Sequence, residues 1–187
     1  MAVLNHIFQP EHKWDPIYGF NGGSIHTGSG NEKNWTWFEH DGTPHLIYNT
    51  EPHTVVRWHR ERPSEVHETP TKPWLFGHKR GGTSAIRIGD EYLCFYHSST
   101  PWTEKKRRYH MGAYCFEAKP PFKITRSTEK PLLSGSKYDP WQEGLPLVVF
   151  PCGAIYKNGT WAVSMGINDY CTGLIEIPHA DLEKLLK

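Results

Sequence analysis

Polar residues whose types could carry chemistry recur along this chain in clusters, and three of them, Lys33, Arg80 and His97, could hold an anion. Lys33 stands between Glu32 and Asn34-Trp35. Glu51-Pro52-His53 comes next, then Lys79-Arg80-Gly81-Gly82-Thr83, then His97, and Gly166-Ile167-Asn168-Asp169 ends the series. Lysine and arginine are cations at neutral pH, and the planar guanidinium matches two oxygens of a phosphate or carboxylate. Histidine adds a ring that donates or accepts. A Gly-Gly pair lets backbone N–H groups approach an anion closely. Taken singly, each residue has a plainer explanation. A lone Lys or Arg is normally a solvated surface charge, and an Asp after a strand, such as Asp169, is normally a turn former.

The elements that must position these residues give them more weight. Three times the chain repeats an apolar strand, a two-residue turn, a second apolar strand, a polar loop and a third strand. The turns are Asp41-Gly42, Gly89-Asp90 and Asn158-Gly159. Such dipeptides supply the positive φ that tight hairpins need. The strands before them are 34–38, 83–88 and 152–156, those after them 45–48, 92–96 and 161–165, and the third strands 55–58, 109–116 and 172–177. Repeated antiparallel meanders predict propeller blades, because one blade cannot bury both its faces alone. The continuous apolar run 92–96 suits a blade covered on both faces. The polar clusters fall at strand starts or after second strands, and equivalent ends of successive blades converge on one axis. Lys33, Arg80 and His97 are therefore expected to share a cationic pocket fit for phosphate or a sugar phosphate.

Segments 1–32, 59–79 and 117–151 read as an irregular lead-in and two connections, and a short amphipathic helix is expected over 178–187, with apolar residues at 182, 185 and 186. The whole, residues 1–187, is expected to be a single domain with its blades in 33–177.

Bulk properties exclude several function classes. The net charge of +1 gives no support to general polyanion binding, so no nucleic-acid partner is expected. The run Glu104-Lys105-Lys106-Arg107-Arg108 is expected to be a solvated loop. No apolar run reaches membrane-spanning length, and the N-terminus lacks the pattern of a secretory signal, so no membrane partner and a cytoplasmic location are expected. Cys94, Cys115, Cys152 and Cys171 form no CxxC pair and are expected to stay reduced. The 12 histidines are scattered without HExxH spacing, so no metal is expected. Walker, GxSxG and Rossmann motifs are missing. The sequons at Asn34 and Asn158 are of a kind common by chance. With 13% aromatics, including 8 Trp and 9 Tyr, the chain suits face-to-face strand packing or a carbohydrate surface.

Particular stretches resemble glycoside hydrolase family 130, the five-bladed propeller mannoside phosphorylases and related hydrolases. They are Tyr96-His97, Tyr109-His110-Met111-Gly112-Ala113-Tyr114, Lys130-Pro131-Leu132-Leu133-Ser134, Val148-Val149-Phe150-Pro151-Cys152-Gly153-Ala154 and Gly166-Ile167-Asn168-Asp169. Glu32-Lys33-Asn34-Trp35 resembles the family's Lys-Asn strand start, and Arg80-Gly81-Gly82 stands where a basic residue precedes glycines. The resemblance covers roughly residues 30–177 and implies an all-β, partial five-bladed propeller of glycosidase type with about three blades. It implies that Lys33, Arg80 and His97 hold phosphate. Asn34, Trp35, His53, Gly82, Thr83, Tyr109 and Asp169 would line the sugar site. No cofactor is implied, inorganic phosphate serving as co-substrate. The family's acid Asp lies in an early-blade motif of EDPR type that this chain lacks, so no catalytic residue is assigned and enzyme activity stays open.

Three functions follow as alternatives. One is a glycosidase or glycoside phosphorylase relative acting on or binding β-mannoside-like carbohydrate. The second is a propeller-type glycosyltransferase, and the third a non-catalytic carbohydrate-binding or assembly module. Uncovered faces on a three-blade piece would also favour a homo-oligomer, or a complementary chain completing the propeller.

Overall fold

A computed structural model describes residues 2–4, 10–13, 33–57, 65–136 and 146–187. Glu32, Trp58 and most of the lead-in lie outside the described residues. The described chain is almost entirely β. Two short strands, β1 (Ala2–Leu4) and β2 (Pro10–Lys13), pair antiparallel. Then come three antiparallel sheets. The first holds β3 (Thr36–His40), β4 (Thr43–Thr50), β5 (His53–Arg57) and β6 (Glu65–Thr69), paired in chain order. The second holds β7 (Ile86–Ile88), β8 (Glu91–Pro101), β9 (Arg107–Glu117) and β10 (Ile124–Ser127), with β11 (Leu133–Ser134) paired to the first half of β9. The third holds β12 (Val149–Lys157), β13 (Thr160–Ile167) and β14 (Cys171–Pro178), and one turn of helix, α1 (His179–Glu183), follows it.

The three sheets are the three blades expected from the hairpin repeats. At the first and third hairpins both turn residues take positive φ: Asp41 at 48° and Gly42 at 72°, Asn158 at 51° and Gly159 at 76°. That twist matches the strands they join. The segments read as connections hold additional strands, β6 in one and β10 and β11 in the other. β6 carries a single apolar residue, Val66, 44% exposed, and is held by its ladder to β5 rather than by burial. An edge strand of this kind leaves no hydrophobic pattern to read.

The middle sheet is covered on both faces, which explains the continuous apolar run in β8. Tyr92, Cys94 and Tyr96 of β8 and Tyr114 and Phe116 of β9 pack with Phe38, Ile47 and Val55 of the first sheet. Phe122 completes that layer, its ring 5.8 Å from Phe38 and 5.3 Å from His45. Leu93, Phe95, Met111, Ala113 and Cys115 face the other way, against Val149, Trp161, Val163 and Met165 of the third sheet. Leu182 of α1 and Leu186 close this second layer, and residues 127 and 187 exchange two backbone hydrogen bonds that extend the middle sheet's edge. Leu185, the third apolar position expected to pack, is half exposed.

Two histidine and surface details bear on function. His53 is fully buried between the first two sheets, where its Nδ1–H donates to the Phe122 carbonyl at 2.9 Å. Of the two outer faces, that of the first sheet is buried at Leu46, Tyr48 and Val56, whereas that of the third exposes Ile155 and Leu174. Among the described residues the four thiols are unpaired, Cys94 and Cys115 in the core and Cys152 and Cys171 at the surface.

Trp161 has no exposed surface and touches Phe95 and Tyr156. Trp161→Ala is expected to lower unfolding free energy by about 3–5 kcal/mol. Leu174→Ser, on the open face, should change it by about 0.5 kcal/mol or less. Urea denaturation of the two variants measures both.

Candidate anion and sugar site

At one end of the three sheets, residues 80–83 lie along the edge of β8. Arg80 and His97 exchange backbone hydrogen bonds of 2.8 and 3.1 Å. Three residues on, Thr83 N donates to Phe95 O at 3.0 Å, and the Thr83 hydroxyl accepts from Phe95 N at 3.0 Å. Glycine is required between them. A Cβ on Gly81 would lie 2.0 Å from the Asn34 carbonyl, and one on Gly82 would lie 2.6 Å from the Phe95 carbonyl and 2.8 Å from Pro151 Cγ. The strand start of the first sheet, the glycine pair and the strand start of the third sheet are thus pressed together. Glu51, in the β4–β5 turn, fixes the approach: its carboxylate accepts from Lys79 N at 2.9 Å and pairs with Lys79 Nζ at 3.2 Å and His78 Nδ1 at 2.9 Å.

His97 sits at the centre of this junction, 2% exposed. Its Nδ1–H donates to the Gly81 carbonyl at 2.9 Å. Its ring lies 4.2 Å from Phe150, and parallel to Tyr109 at 5.9 Å. Burial pushes its pKa down to about 4, against the Gly81 hydrogen bond, and the nearby positive charges of Arg80 and Lys33 push the same way. The ring is therefore neutral at pH 7, with Nε2 as an acceptor. The cationic character expected of the trio rests on Lys33 and Arg80, which both act on His97 from separate segments.

Other expected site residues divide. Asn34 (by its backbone), Gly82 and Tyr109 belong to the junction. Thr83 is fully buried and its hydroxyl is committed to the β8 backbone. Trp35 packs on Tyr48, ring centroids 5.6 Å apart, with the outer face of the first sheet. His53 lies in the core between sheets. Asp169 is exposed in the β13–β14 turn with φ of 55°, and it is not among the groups that perturb His97. Two residues went unsingled in the sequence. Phe150 contacts His97, and buried Asn168 accepts from Val148 N at 2.8 Å and donates to Ser136 O at 2.9 Å, fixing the start of β12. Both stand inside stretches that carry the family resemblance, Val148-Val149-Phe150-Pro151 and Gly166-Ile167-Asn168-Asp169, and neither is a charged residue.

The junction brings two cations, Lys33 and Arg80, near a neutral acceptor flanked by two aromatic rings. Among the described residues no group of three or more His, Cys, Asp or Glu could hold a metal ion. The family model for glycoside hydrolase family 130, described as β-1,4-mannooligosaccharide phosphorylase, matches residues 46–187. No curated protein sequence matches the chain. Among solved structures, β-1,2-mannobiose phosphorylase from Listeria innocua superposes with a TM-score of 0.64 at 20% identity, over 82% of this chain and 46% of its own. A glycosyl hydrolase from Bacteroides ovatus gives 0.61 at 14%, over 86% and 52%. A structure from work describing hydrolases of β-1,2 mannosidic linkages in Candida mannan, within the family of mannoside phosphorylases, gives 0.65 at 14%, over 91% and 55%. This chain spans about half the length of these solved proteins.

Histidines 53 and 97 make a pH prediction. Burial brings both folded-state pKa values to about 4, below the ordinary 6.5. The unfolded chain takes up these protons first. Stability is therefore full above pH 6.5 and falls as pH drops from 6.5 toward 4, by up to about 1.4 kcal/mol per pH unit for each ring. Imidazole NMR resonances should include two with midpoints near 4; midpoints near 6.5 for all twelve histidines would contradict this.

Proposed function

Because this chain belongs to glycoside hydrolase family 130, we propose that it binds β-mannoside-like carbohydrate and that Lys33, Arg80 and His97 form the anion subsite beside that sugar, with inorganic phosphate as the anion. The observation that carries this is the junction itself. Two cations from different segments act on one neutral, aromatic-flanked imidazole, at a place where glycine lets backbone approach closely.

The charges fit the ligand. Inorganic phosphate carries between one and two negative charges near neutrality, and Lys33 and Arg80 offer two positive ones. Arg80 can meet two phosphate oxygens at once, and Lys33 can act as a point charge. Neutral His97 can accept a hydrogen bond from the P–OH group or from a sugar hydroxyl through Nε2. Tyr109 and Phe150 exclude water from the ring and offer apolar surface to a sugar face. In phosphorolysis the anion oxygen forms a bond to the anomeric carbon, the glycosidic C–O bond breaks, and the departing oxygen needs a proton. The Glu51 carboxylate at the junction is engaged by Lys79 and His78, so it is not free to supply it. That observation favours a second reading, in which the chain binds carbohydrate and phosphate without turnover.

Arg80→Ala is expected to weaken phosphate binding roughly 10–100-fold, as loss of a charged hydrogen bond of about 1.5–3 kcal/mol requires. Calorimetric titration with phosphate checks it. Release of mannose 1-phosphate from a β-mannobiose plus phosphate separates catalysis from binding alone. Phosphate affinity that is the same in Arg80→Ala and the parent would refute the subsite.

A further inference from the structure

The β8–β9 hairpin carries a feature that the proposed subsite does not use. Both strands have 11 residues, and β8 runs from the Gly89-Asp90 turn past His97 to Pro101. The tip therefore extends beyond the junction on the same end of the sheet. Trp102 lies five residues from His97, roughly 16–17 Å along an extended strand. The turn is ordered by its own hydrogen bonds: Trp102 N and Thr103 N both donate to Lys106 O, at 2.9 and 3.1 Å.

Trp102 is 53% exposed although it is among the largest apolar side chains of the protein. It is not left loose. The Arg108 guanidinium lies 5.3 Å from its ring centroid, and Arg108 is held by donation from Nε to the Gly135 carbonyl at 2.8 Å. Arg107 is fixed by two donations to Ser99, of 2.8 Å to its hydroxyl and 2.7 Å to its carbonyl. Lys105 and Lys106 complete the tip. Charge pairing sets this cluster apart. Among the described arginines, Arg57, Arg87 and Arg126 each pair with a carboxylate. Arg80, Arg107 and Arg108 do not, and all three lie at the junction end. No carboxylate pairs with Lys105 or Lys106 among the described residues, so Glu104 alone offsets four cations. In a chain of net charge +1, this concentrates unneutralised positive charge around one oriented, exposed aromatic ring.

We propose that the hairpin tip is a second binding site, for an anionic glycan: a sugar ring stacks on Trp102 while Lys105, Lys106 and Arg107 meet its carboxylate or phosphate substituents. The flat, half-exposed ring supplies the apolar platform, and Arg108 holds it in place. The separation from His97 places this contact several sugar units from the junction, so the ligand is an oligosaccharide with acidic groups rather than a monosaccharide. This deepens the carbohydrate reading above and rests on it for the class of ligand.

The full chain is titrated with tetra-β-1,4-mannuronate, neutral β-1,4-mannotetraose and a ten-residue oligo-dT, each at low and at moderate salt. The mannuronate should bind at least about tenfold tighter than the neutral sugar at low salt, and that preference should shrink as salt rises. Lys105→Ala/Lys106→Ala should reduce the preference by roughly threefold to tenfold, as two exposed ion pairs allow. Trp102→Ala should weaken both sugars by about tenfold, as loss of a stacking contact allows. These residues are at the surface, so the variants should keep the parent's unfolding midpoint. Equal affinity for both tetrasaccharides would overturn the proposal. So would an acid preference unaffected by the hairpin variants, oligo-dT as the tightest ligand, or binding of neither sugar. Arg80→Ala separates the two sites. If it leaves sugar and phosphate binding intact while the hairpin variants abolish the acid preference, the junction subsite fails and the hairpin site stands.

Discussion

The structure depends on the absence of two side chains. At Gly81 and Gly82 the chain passes between the first and third sheets with less room than any Cβ requires, and its neighbours there are backbone carbonyls and a proline ring, which cannot swing aside. That contact lets residues 80–83 lie along β8, and the Arg80–His97 backbone bonds follow from it. It also brings Asn34 and Pro151 to the same point, so each charged residue of the site is positioned by a neighbour that is wedged in place. A larger residue at either glycine would separate the strand starts before it disturbed any charge.

Burial then decides which groups are charged. His97 is enclosed by Phe150, Tyr109 and the backbone of Gly81, and two cations lie nearby, so protonating it would be costly. A neutral His97 adds no third positive charge beside Lys33 and Arg80. The opposite edge of the middle sheet shows the contrasting solution. Arg126 is clamped between Glu91 and Glu183 there, and its charge is spent on fastening α1 to the sheet. Cations at the two ends of the same sheet thus serve different ends, structural where carboxylates neutralise them and available where none does.

Much of the fold was legible in the sequence because hairpins announce themselves locally. Asp41-Gly42 and Asn158-Gly159 adopt the conformations their types favour, and the unbroken run at 92–96 signalled a sheet buried on both faces. β6, β10 and β11 were not legible, since edge strands of two to five residues are held by ladder bonds and need no apolar pattern. For the site, the repeats and the family resemblance together led to Lys33, Arg80 and His97. They could not separate His97 from His53. Both end or begin an apolar strand, and it is packing against Tyr114 and Phe116, with the hydrogen bond to the Phe122 carbonyl, that places His53 in the core. The protonation of His97 was equally hidden, because it depends on Phe150 and Tyr109, which are far from it in sequence.

The central claim is that Lys33 and Arg80 close on one anion beside a neutral His97. Crystals of the protein soaked with tungstate, a phosphate analogue located by its anomalous scattering, test this most directly. The account predicts a tungstate within about 2.7–3.2 Å of both Lys33 Nζ and the Arg80 guanidinium, adjacent to the His97 ring. Tungstate bound only at other surfaces, with Lys33 and Arg80 reaching into separate regions of solvent, would contradict it.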